Sequence, residues 1–393
     1  MYRSLLLLCI TILGFSITKA QTESSGKYSS TTPTSSSSLV NGITSLTEWG
    51  MDLITIEKEN STFFFLPVVG YENRTGLSVG LLPSWRFYLG GKEEGDGYFR
   101  PSNISVSCEF STSGMYEFYT SSKFYTKNNW YFRTKWMIQY MPDQFYEVGN
   151  ISNKDIYSEI EENKLEFTGR IMKVVNQKWF LGLNYDFGSY KVKNIDGDVF
   201  NEEVPGYQQA WITGIGPSVT YDNRNSVVYP VKGVFLESSY LKYLPSIGDY
   251  DFSTFKLDVR TYVGLGAKER VLAFQSVIKS TLGDVPFYRL SEIGGKRLFR
   301  GISRPYKYLD NQSAYIQAAF RSKLWWRFGC EVFTGVGNVF EKFDSDMFTK
   351  VHVMGGAGLR LRVLENEKLS FRIDYGMTNR GDSGVFFTLG EAF

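Results

Sequence analysis

From Thr62 to the end of the chain, apolar and polar positions alternate with period two. In 255–263, Phe255, Leu257, Val259 and Val263 alternate with Lys256, Asp258, Arg260 and Tyr262. In 130–140, Trp130, Phe132, Trp136 and Ile138 alternate with Tyr131, Arg133, Lys135 and Gln139. In 179–187, Trp179, Leu181, Leu183 and Phe187 alternate with Phe180, Gly182, Asn184 and Asp186. Successive side chains of a strand point to opposite faces, so each segment reads as a strand with one apolar, aromatic face and one polar face. A sandwich also alternates, but it turns the apolar face inward and needs fewer segments. Sixteen segments are counted, at 62–70, 78–89, 103–111, 115–125, 129–140, 160–174, 178–190, 209–220, 231–243, 250–263, 270–281, 313–324, 327–338, 351–363, 367–377 and 384–393. They predict an all-β fold, a 16-stranded antiparallel transmembrane β-barrel with lipid outside and a polar lumen. Connections at 126–128, 175–177, 325–326 and 364–366 are short, while 141–159, 191–208, 282–312 and 339–350 are long. Short turns on one side and long loops on the other make the long ones extracellular, and 282–312 the sixth of them.

The start of the chain reads differently. Arg3, the apolar stretch Leu5 to Ile17 and the small residues Thr18 and Ala20 make residues 1–20 a signal peptide. Residues 21–60 form a Ser/Thr-rich periplasmic leader in which 45–56 has the pattern of one short amphipathic helix, and 61–393 is the barrel. No later run approaches the ~18 apolar residues of a helical span, so a spanning protein must be a closed barrel. Aromatics at 17%, with 26 Tyr and 31 Phe, agree with a barrel as well as with a soluble all-β protein. A net charge of +2 with no basic run gives no reason to expect a nucleic-acid partner. Cys108 and Cys330 share faces with Val106 and Val332 and read as small lipid-facing residues.

Candidate chemistry is sparse. Gly76-Leu77-Ser78-Val79-Gly80 matches a nucleophile elbow as text, but it opens a strand after a hairpin turn instead of joining strand to helix. His352 is the only histidine, at the loop end of a strand. One His and two scattered Cys exclude an ordinary zinc site. The expectation is therefore no enzyme, no metal and no cofactor. Lumen charges such as Lys135, Asp186, Lys256, Asp258, Arg260, Arg360, Arg362 and Arg372 read by default as solvating the interior.

The sixth loop carries Gly294-Gly295, then Leu298-Phe299-Arg300-Gly301-Ile302, then Asp310 before the strand AYIQAAFRSKL. Together with Asp222-Asn223-Arg224-Asn225, Pro230 and Gly233 after the eighth strand, the opening hairpin VVGYENRTGLSVG, and the ending from Asp374-Tyr375-Gly376 through Gly390-Glu391-Ala392-Phe393, this resembles the BamA/TamA superfamily of bacterial surface-antigen barrels over about residues 62–393. The resemblance implies a bacterial outer-membrane location and a sixth loop folded into the lumen, its arginine meeting acidic residues on the wall. Two departures stand out. Ala319 and Gly335 occupy the positions where the family often has Glu and Asp. An arginine buried without a partner costs several kcal/mol. Glu331, on the lumen face with Gly335, and Asp374, on the lumen face of the fifteenth strand, are the candidate substitutes. The leader is also too short for the family's periplasmic POTRA domains, which places the chain with short, POTRA-less forms.

The resemblance implies a function in insertion, assembly or translocation of outer-membrane or surface proteins. Its basis would be a weak seam between first and last strands, where Pro67 cannot donate to the ladder and Gly390 and Phe393 end the chain. Partners would be outer-membrane lipid and protein clients or outer-membrane assembly partners. The alternatives are a structural or binding subunit of an outer-membrane complex and a passive pore.

Overall fold

The computed structural model of the protein describes residues 55–72, 74–89, 100–150, 156–266, 269–365 and 368–393. The expected signal peptide and most of the leader lie outside the described residues. The wall runs up and down in chain order. Its first half comprises β2 (Ser61–Glu72), β3 (Gly76–Phe87), β4 (Ser102–Ser111), β5 (Tyr116–Tyr125), β6 (Trp130–Phe145), β7 (Ser158–Val175), β8 (Trp179–Asp196) and β9 (Ala210–Asp222). The second half comprises β10 (Gly233–Tyr243), β11 (Phe252–Gly264), β12 (Val271–Gly283), β15 (Gln312–Trp325), β16 (Phe328–Phe340), β17 (His352–Leu364), β18 (Leu369–Thr378) and β19 (Ser383–Leu389). Before it lies β1 (Thr55–Lys58), and two short strands, β13 (Ser291–Glu292) and β14 (Leu309–Asp310), pair with each other inside the sixth loop.

The alternation has the expected sense: Trp130 and Trp136 are 41% and 52% exposed on the outer face, whereas Tyr131 is buried on the inner one. β7 and β8 have 18 residues each, about twice the 9–11 that a tilted strand needs to cross a bilayer, so both project beyond it. No helix among the described residues is long and apolar enough to cross a membrane.

The structure departs from the sequence expectation in three places. The connections do not sort cleanly by length: 73–75, 112–115 and 379–382 are tight although they stand on the long-loop side, and 88–101 is long on the short-turn side. Thr55 and Ile56, the end of the stretch with helical pattern, lie in β1, which folds back on β2 with Thr55 opposite Phe64 and Lys58 opposite Ser61. β-Branched residues beside an open strand edge gain more from pairing than from an isolated helical turn. The large sheet consequently has 17 strands. Finally, the last strand stops at Leu389. Gly390 adopts φ +78, and Glu391, Ala392 and Phe393 turn into the lumen and are buried.

Consecutive wall strands pair antiparallel, with register shifts in the β7–β8, β15–β16 and β17–β18 pairs. β19 neighbours β2 in the sheet order, yet no run of paired residues joins the two among the described residues. Among the described residues no ladder register closes the wall at that seam.

Candidate functional site: the loop arginine and its wall

The sixth loop, residues 284–311, enters the lumen because its own residues close it into a compact turn. Gly294 and Gly295 adopt φ +137 and +94, a region open to glycine at little cost. The Gly295 N–H donates to the Ile302 carbonyl at 2.8 Å, and the Ile302 N–H donates to the Phe299 carbonyl at 3.2 Å. This pinch turns Ile293, Phe299 and Ile302 onto the inner wall, where they join a buried cluster with Tyr262, Ala273, Tyr315, Ala319, Phe333 and Met354. Arg300 sits between the two anchors and cannot retreat to water.

Arg300 is fully buried. Its Nη1 donates to Glu331 Oε1 at 2.6 Å and to Asp374 Oδ2 at 2.8 Å. Its guanidinium lies over the Phe333 ring, 3.6 Å from the centroid. Among the described residues Nε and Nη2 have no acceptor, so the aromatic face is the main other contact of the cation. Glu331 serves three arginines: Arg300, Arg321 Nε at 2.9 Å and Arg360 Nη2 at 3.0 Å. Asp374 also serves three, accepting from Arg300, from Arg360 Nη1 at 2.6 Å and from Arg372. Arg372 further donates to the Lys296 carbonyl, tying the loop backbone to β18. Each acid thus bridges loop and wall, and the buried charges are paired as low-dielectric surroundings require.

Glycines admit this arrangement. A side chain on Gly376 would overlap the Arg300 carbonyl oxygen, and one on Gly358 would overlap the Asp374 carboxylate. Gly358 stands between Glu331 and Asp374 in the cross-strand row Arg321, Glu331, Gly358, Asp374. Ala319 and Gly335 leave no gap where the family's acids would be: Ala319 packs in the apolar cluster, and a Cβ on Gly335 would lie 2.9 Å from the Ile316 carbonyl oxygen. Parity put Arg360 and Arg372 on the lumen face, but the default reading as solvating charges missed their place in this cluster, and Arg321 and Glu391 were not singled out. Glu391 lies 3.4 Å from Arg360 and 3.6 Å from Arg321, and the Phe393 carbonyl oxygen accepts from Arg321 Nη2 at 2.6 Å. Phe393 is therefore a lumen residue and not part of a strand edge.

The other singled-out residues lie elsewhere. Asp222 accepts from the Arg224 backbone at 3.1 Å, from Arg224 Nε at 2.9 Å and from Arg100 Nη1 at 2.6 Å. Gly233, at φ +113, fits against Arg224 where a Cβ would lie 2.7 Å from its Cα, and Pro230 is buried in the same turn. This is a locked turn at the short-turn end of the wall. Pro67 faces outward on β2, opposite Leu81. It lies on the part of β2 that β1 leaves uncovered. His352 is buried with Nε2 2.6 Å from Asn150 Oδ1 and its ring beside Tyr308, a structural contact between loops and wall. Ser78 is an inner-face strand residue. No group of metal-ligating side chains occurs among the described residues.

The family model described as the Omp85 superfamily domain matches residues 100–393. No curated protein matches the chain. Among solved structures, BamA from Haemophilus ducreyi lacking POTRA domains 1–3 is similar with TM-score 0.58 at 14% identity, over 85% of this chain and 70% of that one. CdiB from Acinetobacter baumannii gives TM-score 0.55 at 10% identity, over 85% of this chain and 60% of that one. CdiB from Escherichia coli gives 0.56 at 11% identity, over 85% and 63%. This chain spans less than two thirds of either CdiB chain.

Proposed function

The chain belongs to the Omp85 superfamily of outer-membrane barrels, and from that premise we propose that it assists the insertion, assembly or translocation of outer-membrane or surface proteins, without enzymatic chemistry of its own. The observation that carries this reading is the seam. Every consecutive pair of wall strands has a register, whereas β2 and β19 have none among the described residues, and β19 is only seven residues long. Parting these strands breaks few hydrogen bonds, so the wall can open toward lipid at small cost. Pro67 removes one donor from the β2 edge, and the inward turn at Gly390 shortens the β19 edge. The docked loop braces the wall beside the seam, because Arg300 ties it to β16 and β18 and β18 pairs directly with β19. Outer-membrane lipid and the client chain are the partners.

The test locks the seam. Cysteines at outward-facing Val69 or Tyr71 of β2 are paired with cysteines at Val385 or Phe387 of β19, with Cys108 and Cys330 replaced by serine. Oxidised barrels should lose their contribution to the surface proteome in the native bacterium and regain it on reduction. A crosslinked barrel that supports an unchanged surface proteome refutes lateral opening, and a deletion that leaves that proteome intact while dissolving a surface complex would favour a scaffold.

A further inference from the structure

A second concentration of charge lies next to the Arg300 cluster, at the end of the wall where β15 turns into β16 and β17 into β18. Register sets Lys323, Gly329 and Arg360 side by side on the inner face. One step closer to the turns, the Arg362 N–H donates to the Arg327 carbonyl at 2.9 Å, and Arg362 stands opposite Ser370. Gly329 carries no side chain, so the four cations frame a gap instead of filling it. Together with Arg321 and Glu391 they line one open recess of about 310 Å³, with Tyr229 and Phe328 as its apolar walls.

The charges here do not balance. Arg300, Arg321, Arg360 and Arg372 share three carboxylates, Glu331, Asp374 and Glu391. Lys323, Arg327, Arg362 and Lys368 share two, Glu269 and Glu365. Eight cations thus meet five carboxylates among the described residues. Glu269 is close to Arg362 and Lys368, at 2.6 and 2.7 Å. Glu365 instead stands 3.5, 3.7 and 3.8 Å from Arg362, Lys323 and Arg327, longer than an ordinary hydrogen bond. Arg321 is buried, and its Nη1 has no acceptor among the described residues. Like charges gathered this closely repel one another, and an anion in the recess would offset that repulsion.

We propose that this recess binds a phosphate group, free or at the head of a lipid, through Lys323, Arg327 and Arg362. Glu365 is a planar carboxylate tethered at the rim, and it reaches none of these three cations closely. A phosphate presents its free oxygens in several directions and meets donors from three sides at once. A doubly charged group also gains about twice the Coulomb energy of a singly charged one at equal distance. Leu324 and Trp325, which follow Lys323, are 48% and 58% exposed. Tryptophan is enriched at the membrane interface, the depth at which lipid phosphates lie. The proposal does not rest on opening of the seam.

Titration of the full barrel in non-ionic detergent with inorganic phosphate, followed by phosphorus NMR linewidth, tests it. The wild-type protein should bind phosphate more tightly than acetate, and less tightly as salt rises. Lys323→Gln with Arg327→Gln, both outside the Arg300 cluster, should weaken binding about tenfold or more, as expected for lost charge-assisted bonds. Glu365→Gln should act in the opposite direction and tighten binding, because it removes the carboxylate that competes for the same cations. Glu341→Gln, which changes the net charge equally on an exposed loop, should leave binding unchanged. Dihexanoylphosphatidylglycerol, a short-chain lipid, distinguishes the sources. Binding tighter than that of inorganic phosphate, and lost in the double variant, marks a lipid headgroup, whereas equal binding marks a free ion. No binding by wild type, an unchanged double variant, or a Glu365→Gln protein that binds no more tightly than Glu341→Gln overturns the proposal.

Discussion

Removing Arg300 from the buried cluster should cost less than removing one of the acids. Breaking a buried pair by deleting one partner costs about 3–5 kcal/mol, mostly because the other charge is left uncompensated. Arg300→Met leaves Glu331 with Arg321 and Arg360, and Asp374 with Arg360 and Arg372, so neither acid is stranded. The loss is then the loop tether itself and the stacking on Phe333, at the low end of that range, about 3 kcal/mol. Glu331→Gln instead strips one carboxylate from three arginines at 2.6, 2.9 and 3.0 Å, and should approach about 5 kcal/mol. Both variants should release the loop, since each cuts an Arg300 bond. Lys296 and Arg297 in that loop report release by tryptic cleavage, at a rate that follows the open population when opening is faster than cutting. A loss of about 3 kcal/mol raises that population by over a hundredfold. The barrel itself should keep its heat-modifiable mobility in both. Equal cleavage in wild type and both variants, or a larger effect of Arg300→Met than of Glu331→Gln, refutes the reasoning. A double-mutant cycle with strictly additive effects would remove Glu331 as the energetic partner of Arg300.

Gly376→Ala should mimic loop release without touching a charge, because its Cβ would overlap the Arg300 carbonyl oxygen; tryptic cleavage at Arg297 equal to wild type would show that the loop backbone does not lie there. In the turn between β11 and β12, burial pushes the Glu269 carboxyl up, but hydrogen bonds from Lys368 and Arg362 outweigh it and hold the group below its ordinary value. A depressed carboxyl stabilises the fold above its unfolded pKa of about 4.3 and loses that contribution as pH falls through the folded value. Glu269→Gln should therefore destabilise at pH 7, by less than about 1 kcal/mol for so exposed a group, and make no difference at pH 2 in thermal unfolding.

Alternation alone located the wall strands, because a lipid-facing surface tolerates few charges and so leaves a strong period-two signal in residues such as those around Trp136. The angular position of a lumen residue was not legible. Arg321 faces Glu331 only because the register shifts between Lys323 and Trp325; an unbroken hairpin through the pair Trp325 and Phe328 would set Arg321 against Val332. One bulge thus decides whether an arginine meets an acid. Glu331 and Asp374 could be named because parity puts both on the inner face, whereas nothing in the sequence ranks Arg360 and Arg372 above the other lumen cations. The inward turn of the last residues did leave a trace: parity from outward-facing Val385 carries Glu391 onto the lipid face, where a charge is costly, and the positive φ of Gly390 ends the strand before it.

The short strand β1 bears on the order in which the barrel forms. It reaches β2 through the two residues Glu59 and Asn60, whereas β19 must find β2 across the whole length of the wall. Local hairpins close in microseconds, while pairing of sequence-distant strands is slow because the loop-closure entropy is lost before any contact forms. The edge from Ser61 to Phe64 is therefore occupied long before the last strand arrives. Over those four residues the first edge is guarded, during the slowest interval of folding, against pairing with a neighbouring molecule.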